Sequence, residues 1–313
     1  MMLKQKDFID LEGLTDEEIY GILETASSMK DIFTRSVKKV PTLRGKTVVN
    51  LFFEPSTRTK SSFDLAAKRL SADVMSISKK ASSVVKGETL LDTARTMEVM
   101  AADVVVVRHS HPGAAKYLGD NLQAAVLNAG DGPHAHPTQA LLDIFTIWDK
   151  LGELKGKKIL IIGDIAHSRV ARSNIWGLLA LGAEIRLCGP ATLIPMGIEQ
   201  AGVKVYQDVD EALKGVDAVN ILRIQLERQE RGLFPSLREY RYLYGINKER
   251  QKSLKPEALV MHPGPMNRGV EIESNVADSK QSVITEQVAN GVAIRMALLY
   301  LLAGKEVKHE ALA

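Results

Sequence analysis

Apolar residues recur along this chain in two rhythms, short unbroken runs and longer stretches with a helical period, and the two alternate almost throughout. Unbroken apolar runs read as strands buried on both faces, so the alternation predicts an α/β protein with mostly parallel sheets flanked by helices. The first helix is marked by Thr15-Asp16-Glu17-Glu18, a capping box with Leu14 and Ile19 placed as a hydrophobic staple. Apolar positions continue through Ile22, Leu23, Ala26, Met29 and Phe33. Strands are predicted over Thr47–Phe53, Asp73–Ile77, Asp103–Val107 and Ala124–Leu127, joined by helices near 57–70, 89–100 and 113–119. In the helix after the first strand, Phe63, Leu65, Ala66, Ala67 and Leu70 are expected to share one buried face. A long helix carrying Leu141, Leu142, Ile144, Phe145, Ile147 and Trp148 leaves this series, and Gly152 and Gly156 then punctuate the chain.

A second series follows, with strands at Lys158–Ile162, Glu184–Cys188, Val203–Tyr206, Ala218–Leu222 and Ala258–Met261. The last helix, about Glu286–Leu302, is apolar on most of its circumference at Val288, Val292, Ile294, Met296, Leu298, Leu299 and Leu301, and is expected to be buried. Two stretches read as mobile loops: Ser76–Lys86, rich in serine and lysine, and Gln225–Leu237, which is charged and contains Gly232 and Pro235.

The 313 residues, 45% apolar, can bury a large core and suit two domains of ordinary size. Basic residues number 41 against 38 acidic, a net charge of +3. That field is too weak for a general nucleic-acid or membrane surface, so the useful positive charge must be local. The single cysteine, Cys188, excludes an intrachain disulfide and reads as a buried core thiol. Met1-Met2-Leu3-Lys4-Gln5-Lys6-Asp7 has no apolar targeting core, and no apolar run is long enough to span a bilayer. A cytoplasmic protein is expected.

Local charge gathers where strands end. The first strand empties into Phe52-Phe53-Glu54-Pro55-Ser56-Thr57-Arg58-Thr59, from which a helix starts with Ser56 as its cap. Free N–H groups of the first turn, the helix dipole, the Arg58 guanidinium and the hydroxyls of Ser56, Thr57 and Thr59 could converge on a phosphate. A capped helix start with a solvated arginine has the same letters. The nucleotide P-loop is excluded: Gly45-Lys46-Thr47 lacks the upstream glycine and precedes a strand. Val104-Val105-Val106-Val107-Arg108 is a buried strand ending in a cation, and ligands of open α/β sheets bind at the carboxyl ends of strands. Asn128-Ala129-Gly130-Asp131-Gly132-Pro133-His134-Ala135-His136-Pro137-Thr138-Gln139 delivers a histidine and a glutamine to another helix start. His109-Ser110-His111 and His134-Ala135-His136 are too weak a pattern for a metal site. In the second series, Gly163-Asp164-Ile165-Ala166-His167-Ser168-Arg169 brings an arginine to a helix start, and Asn220-Ile221-Leu222-Arg223-Ile224-Gln225 ends a strand with an arginine and an amide on one face. His262-Pro263-Gly264-Pro265 cannot continue a ladder, which frees carbonyls of Pro263 and Gly264 to accept from an amine.

These motifs together resemble the catalytic chains of aspartate carbamoyltransferases, over essentially the whole length. The resemblance implies carbamoyl transfer from carbamoyl phosphate to L-aspartate, in pyrimidine biosynthesis and without a cofactor or metal. It implies a carbamoyl-phosphate domain over 1–137 and 288–313, an aspartate domain over 138–287, and a site in the cleft between them at a subunit interface. Carbamoyl phosphate is then expected at Ser56, Thr57, Arg58, Thr59, Arg108, His136, Gln139, Ser82 and Lys86, with Arg58, Thr59, Arg108 and His136 catalytic. His136 would meet the carbonyl oxygen and Gln139 the carbamoyl nitrogen. Aspartate is expected at Lys86, Arg169, Arg223, Gln225, Pro263, Gly264 and Pro265, with a cis peptide before Pro265. Ser82 and Lys86 would reach from one subunit of a homotrimer into its neighbour's site, and Glu54 and Arg228 would latch the closed domains. A larger assembly with regulatory or dihydroorotase chains is compatible with this. Lys60 stands where relatives often have arginine, and a fork is not replaced by a point charge. The rivals are an ornithine carbamoyltransferase, which would carry H-C-L-P where this chain has His262-Pro263-Gly264-Pro265, and a catalytically silent paralogue binding phosphorylated metabolites.

Overall fold

The computed structural model describes residues 3–78, 87–224 and 236–304. Two compact units divide the chain: Met1–Leu11, Glu17–Thr138 and Asn290–Ala313 form the first, Glu12–Asp16 and Gln139–Ala289 the second. In chain order the elements are α1 (Asp16–Lys30), β1 (Thr47–Phe52), α2 (Thr57–Arg69), β2 (Asp73–Ser78), α3 (Leu90–Val99), β3 (Val104–His109), α4 (Ala114–Asn121), β4 (Ala125–Asp131) and α5 (Pro137–Leu151). They continue as β5 (Lys158–Ile162), α6 (Arg169–Ala180), β6 (Glu184–Cys188), β7 (Lys204–Tyr206), α7 (Val209–Leu213), β8 (Ala218–Ile221), α8 (Leu237–Tyr244), α9 (Lys248–Lys252), β9 (Leu259–Met261), α10 (Ser274–Ala277) and α11 (Ile284–Ala303).

The first unit holds a four-stranded sheet in the order β2-β1-β3-β4, every pair parallel. Its inner strands β1 and β3 are largely apolar on both faces, whereas the edge strand β2 carries Asp73 and Ser76 and is partly exposed. Val49, Leu51, Val105, Val107 and Val126 pack with Ala94 and Met97 of α3 and Ala115 and Leu118 of α4. Phe63 of α2 is fully buried, with the Arg295 guanidinium 5.1 Å from its ring centre. Leu65, expected on the same buried face, is exposed. The stripe runs through Phe63, Ala66, Ala67 and Leu70, and a residue two positions from Phe63 points to the far side of a helix. Phe33 falls outside α1, in a 3₁₀ turn over Asp31–Thr34, under the Arg69 guanidinium at 4.2 Å.

The second unit holds a five-stranded parallel sheet in the order β7-β6-β5-β8-β9. Leu160, Ile162, Cys188, Val219, Ile221 and Val260 form one side of its core. Burial pushes the Cys188 thiol up to about 12, so it stays protonated and acts as a small apolar side chain. The final helix is buried from Ala293 to Leu299, but Val288 is exposed and shares a solvent-facing stripe with Thr285 and Ala289. The expectation of burial fails there because only the C-terminal part of α11 is apolar all round. Ser76 and Ile77, where the expected strand and the expected loop overlap, and Ser78, expected in the loop, belong to β2. Most of both expected loops, 79–86 and 225–235, lies outside the described residues. Among the described residues no helix is long and apolar enough to cross a membrane.

Both sheets start in the middle. The chain goes from β1 to β2 on one side and returns to β3 on the other, and from β5 to β6 and β7 before returning to β8. The strand ends on either side of each reversal are where an open α/β sheet makes its ligand crevice.

Candidate active site

At the first reversal, the segment after β1 is tied to the end of β3 by Phe53 N–H donating to Arg108 O at 2.9 Å. Ser56 is the residue preceding α2, with extended backbone, but its hydroxyl makes no capping bond. The expected N-cap position therefore holds, while the first-turn N–H groups of a 13-residue helix are not closed by that side chain. Thr57 and Arg58 are exposed on this turn and Thr59 is buried. Arg108 is almost buried at the end of β3. Its Nη1 donates to Ala129 O at 3.2 Å and faces His136 Nε2 at 3.4 Å, and its Nη2 reaches Glu54 Oε1 at 3.4 Å. A guanidinium only donates, so the imidazole nitrogen facing it is a lone pair. Glu54, expected to latch domains, pairs here with Arg108.

The segment between β4 and α5 is held by its own side chains. Asn128 Nδ2 donates to Asp131 Oδ1 at 2.9 Å and to Ile9 O at 2.9 Å, while Asn128 Oδ1 accepts from Gly130 N–H at 2.8 Å. Asp131 Oδ2 accepts from Gly113 N–H at 2.8 Å, and His134 lies between Asp131 and Asp10. Gly132 has φ +49°, and a Cβ there would meet Pro112 N at 2.8 Å, so only glycine lets the loop close on its neighbour. His136 is thereby fixed, buried, just before α5. Among the described residues no group of three or more histidine, cysteine or carboxylate side chains converges as a metal shell would.

At the second reversal, Gly163 follows β5 with φ +130° and lies against Leu222. Asp164, fully buried, accepts from His167 N–H at 3.2 Å and meets His167 Nδ1 at 2.8 Å. Ser168 caps α6 by accepting from Ala171 N–H at 3.1 Å, which sets Arg169 as the first helical residue, buried. Arg223 follows β8, half-buried. After β9, the Gly264–Pro265 peptide is cis. Gly264 N–H donates to His262 Nδ1 at 2.8 Å, and His262 Nε2–H donates to Glu271 Oε1 at 3.2 Å, which fixes the ring as the neutral Nε2–H tautomer. Asn267 N–H donates to the same Glu271 oxygen at 2.6 Å. This brace behind Pro263, Gly264 and Pro265 was not expected from the sequence.

The structure thus brings Arg108, His136 and Glu54 into contact, with Ser56, Thr57, Arg58 and Thr59 on the turn bound to the same strand end. It sets Arg169, Arg223 and Pro263–Pro265 behind the neighbouring strands β5, β8 and β9. Gln139 does not stand alone: its Nε2 donates to Asp143 at 3.0 Å, a buried partner that the sequence did not reveal. Ser82, Lys86, Gln225 and Arg228 lie outside the described residues.

Two parallel-sheet units with cationic residues at the reversal of each sheet suit the binding of anionic ligands, and comparison with known proteins places the chain among group-transferring enzymes. The carbamoyl-P binding domain of aspartate/ornithine carbamoyltransferases matches residues 6–149, and the Asp/Orn binding domain of the same enzymes matches 155–302. The aspartate carbamoyltransferase catalytic subunit of Halothermothrix orenii is 73% identical over 313 residues, covering 100% of both chains. That of Moorella thermoacetica is 63% identical over 304 residues, 97% of this chain and 99% of its own. Among solved structures, aspartate transcarbamoylase from Trypanosoma cruzi in complex with N-(phosphonacetyl)-L-aspartic acid is 32% identical with a TM-score of 0.87, covering 96% of each chain. Ornithine carbamoyltransferase from Pyrococcus furiosus is 30% identical with a TM-score of 0.85, covering 97% of this chain and 99% of its own. The chain belongs to the aspartate/ornithine carbamoyltransferase family.

Proposed function

We propose that this chain is an aspartate carbamoyltransferase: it transfers the carbamoyl group of carbamoyl phosphate to the amine of L-aspartate, giving N-carbamoyl-L-aspartate and phosphate, a step of pyrimidine biosynthesis. The observation that carries the choice of acceptor is a pair of arginines at the second sheet reversal, Arg223 following β8 and Arg169 at the start of α6, which follows the neighbouring strand β5. A diacid needs a cation for each of its two carboxylates, whereas ornithine, with one carboxylate and a side-chain amine, needs only one. The fold by itself does not choose, since solved aspartate and ornithine enzymes resemble this chain about equally. The relatives of high identity are named for aspartate.

In this reading the segment 1–137 with 288–313 binds carbamoyl phosphate and 138–287 binds aspartate. Ser56, Thr57, Arg58 and Thr59 receive the phosphate at the start of α2, and Arg108 adds charge at the end of β3. The amine lone pair attacks the carbonyl carbon, and the carbonyl oxygen becomes an oxyanion that Thr59, Arg108 and His136 stabilise. The C–O bond to phosphate then breaks, and the departing phosphate takes the proton lost by the amine. No side chain of these motifs is required as general base, and no cofactor enters the balance. Arg169 and Arg223 hold the two carboxylates of aspartate with Gln225, and Pro263–Pro265 accepts from its amine. The working unit is a cytoplasmic homotrimer in which Ser82 and Lys86 act in the neighbouring subunit's site. Incubating the purified chain with carbamoyl phosphate and either L-aspartate or ornithine, and measuring the ureido product, tests the reading. Product with aspartate alone is expected, product with ornithine alone would identify the rival enzyme, and no product with either would identify a silent paralogue.

A further inference from the structure

Asp143 sits in the middle of α5 with no exposure to solvent, and four side-chain amides surround its carboxylate. Gln139 Nε2 lies at 3.0 Å and Gln287 Nε2 at 2.8 Å from Oδ1, and Asn174 Nδ2 at 2.9 Å and Asn220 Nδ2 at 3.1 Å from Oδ2. An ionised carboxylate only accepts, with room for four donors, so each amide must turn its nitrogen inward and its oxygen outward. Two of these amides are also fixed at a second point: Gln287 Oε1 accepts from His262 N–H at 2.9 Å, and Asn174 Nδ2 donates to Val170 O at 3.0 Å. Asn174, Asn220 and Gln287 are buried, and Gln139 is the one of the four that is partly exposed.

We infer that Asp143 is a positioning residue for the carbamoyl donor: by taking the Nε2–H of Gln139 it fixes that amide so that Oε1, an acceptor, is the atom offered to the carbamoyl NH2. The inference rests on the proposed contact between Gln139 and the carbamoyl nitrogen. An amide turned the other way would set two NH2 groups against each other and leave the Asp143 oxygen without its donor. The same carboxylate anchors the elements that carry the aspartate residues. Asn174 shares α6 with Arg169, Asn220 lies on β8 ahead of Arg223, and Gln287 holds the backbone of His262 beside Pro263. Burial pushes the Asp143 carboxyl up to about 6, so at neutral pH it is still the anion that this arrangement needs.

The test measures kcat and KM for carbamoyl phosphate and for aspartate, with inorganic phosphate as a competing probe that has no carbamoyl amide. Asp143→Ala should lower kcat/KM for carbamoyl phosphate about tenfold or more and leave the phosphate inhibition constant within about twofold, and in a Gln139→Ala background it should have little further effect on kcat/KM for carbamoyl phosphate, its remaining effect falling on KM for aspartate. Equal and independent losses in the two backgrounds would overturn the inference. If Gln139→Ala alone leaves carbamoyl phosphate use unchanged, the contact reading itself fails, a different result from Gln139→Ala impairing the enzyme while Asp143→Ala does not. A donor swap keeps the volume and decides the matter if the alanine variant does not fold. Gln139→Glu should be severely impaired at about pH 8, because it faces one carboxylate with another, and should recover about tenfold relative to the parent as the pH falls, because the introduced carboxyl, once protonated, donates to Asp143 and leaves its second oxygen as the acceptor. A loss relative to the parent that stays the same at low and high pH would refute the inference.

Discussion

Replacing Arg108 by lysine keeps the positive charge at the end of β3 but removes the planar fork that spreads it. In the structure that fork reaches Ala129 O at 3.2 Å with one nitrogen and Glu54 at 3.4 Å with the other, and the first also faces His136 at 3.4 Å. These are long contacts, so each contributes about 1 kcal/mol to stability and not the upper value for a charge-assisted bond. An ammonium can keep one of them. The folded state should therefore lose only about 1 to 2 kcal/mol, a few degrees of melting temperature. Catalysis should lose more, because an oxygen that gains charge during the reaction is met by a hydrated point charge in place of a preorganised donor pair. Loss of such a donor costs about 2.7 to 4 kcal/mol, so kcat should fall on the order of 100-fold to 1000-fold. The assay is ureido-product formation at saturating aspartate over a range of carbamoyl phosphate, beside a thermal melt. A folded Arg108→Lys protein with kcat within about threefold of the parent would refute the assignment, and a fall confined to KM would make Arg108 a ground-state anchor only.

Further expectations concern the other anchors. Arg223→Ala should raise KM for aspartate or lower kcat/KM by about 2 to 5 kcal/mol while the affinity for inorganic phosphate stays unchanged; normal aspartate kinetics would remove Arg223 from the site. His136→Ala should lower kcat on the order of 100-fold in a folded protein, and near-normal turnover would contradict its place at the carbonyl oxygen. Chains carrying Arg58→Ala and Lys86→Ala should each be nearly inactive, yet after dissociation and reassembly in equal amounts about one quarter of the sites in a closed trimer should be intact. Inactive mixtures in which mixed trimers are shown to form would mean that Lys86 does not act in trans. Asp143, lifted from 3.8 to about 6, contributes stability that is fully present below its unfolded value and lost as pH rises through about 6, about 3 kcal/mol in all. Urea unfolding should therefore show the parent gaining on Asp143→Asn by a few kcal/mol between about pH 7 and pH 4, and a difference that stays flat over that range would show that Asp143 is not perturbed.

Local signals located the regular elements because the central strands are apolar on both faces and end at charge or glycine. β5 and β6 run over Lys158–Ile162 and Glu184–Cys188, the stretches that the apolar runs indicate. β4 continues to Asp131, past its expected end at Leu127, because Asn128 and Asp131 bind each other and keep polar residues inside the sheet. α7 to α10 were not predicted, being at most 8 residues long, although α8 begins with a legible cap: Ser236 accepts from Glu239 N–H at 3.1 Å. In the site, the strand-end place of Arg108 and the helix-start place of Arg169 could be read directly, since a run of valines or isoleucines must deliver its next polar residue at the sheet edge. The partners that hold those residues could not. Asp143 and Gln287 are 144 positions apart, and nothing local marks either as one half of a pair.

That contrast bears on how one fold serves two acceptors. Carbamoyl phosphate is common to both reactions, and in the proposed reading its phosphate is met by short local motifs at the first sheet reversal, the start of α2 and the end of β3. The acceptor is different. Aspartate carries a second carboxylate where ornithine carries an amine, so a guanidinium placed for that carboxylate attracts the one and repels the protonated form of the other, by several kcal/mol where the pair is desolvated. A change of that size needs few residues, and so leaves the backbone free to stay alike, as the TM-scores of 0.87 and 0.85 to enzymes of the two kinds require. Behind those residues lies the frame that aims them. The anionic hub at Asp143 and the His262–Glu271 brace make no use of the acceptor's charge, and both tie β8, β9 and α6 to fixed points. In the proposed reading, specificity is therefore carried by exchangeable side chains at the second sheet reversal, and precision by buried polar groups behind them.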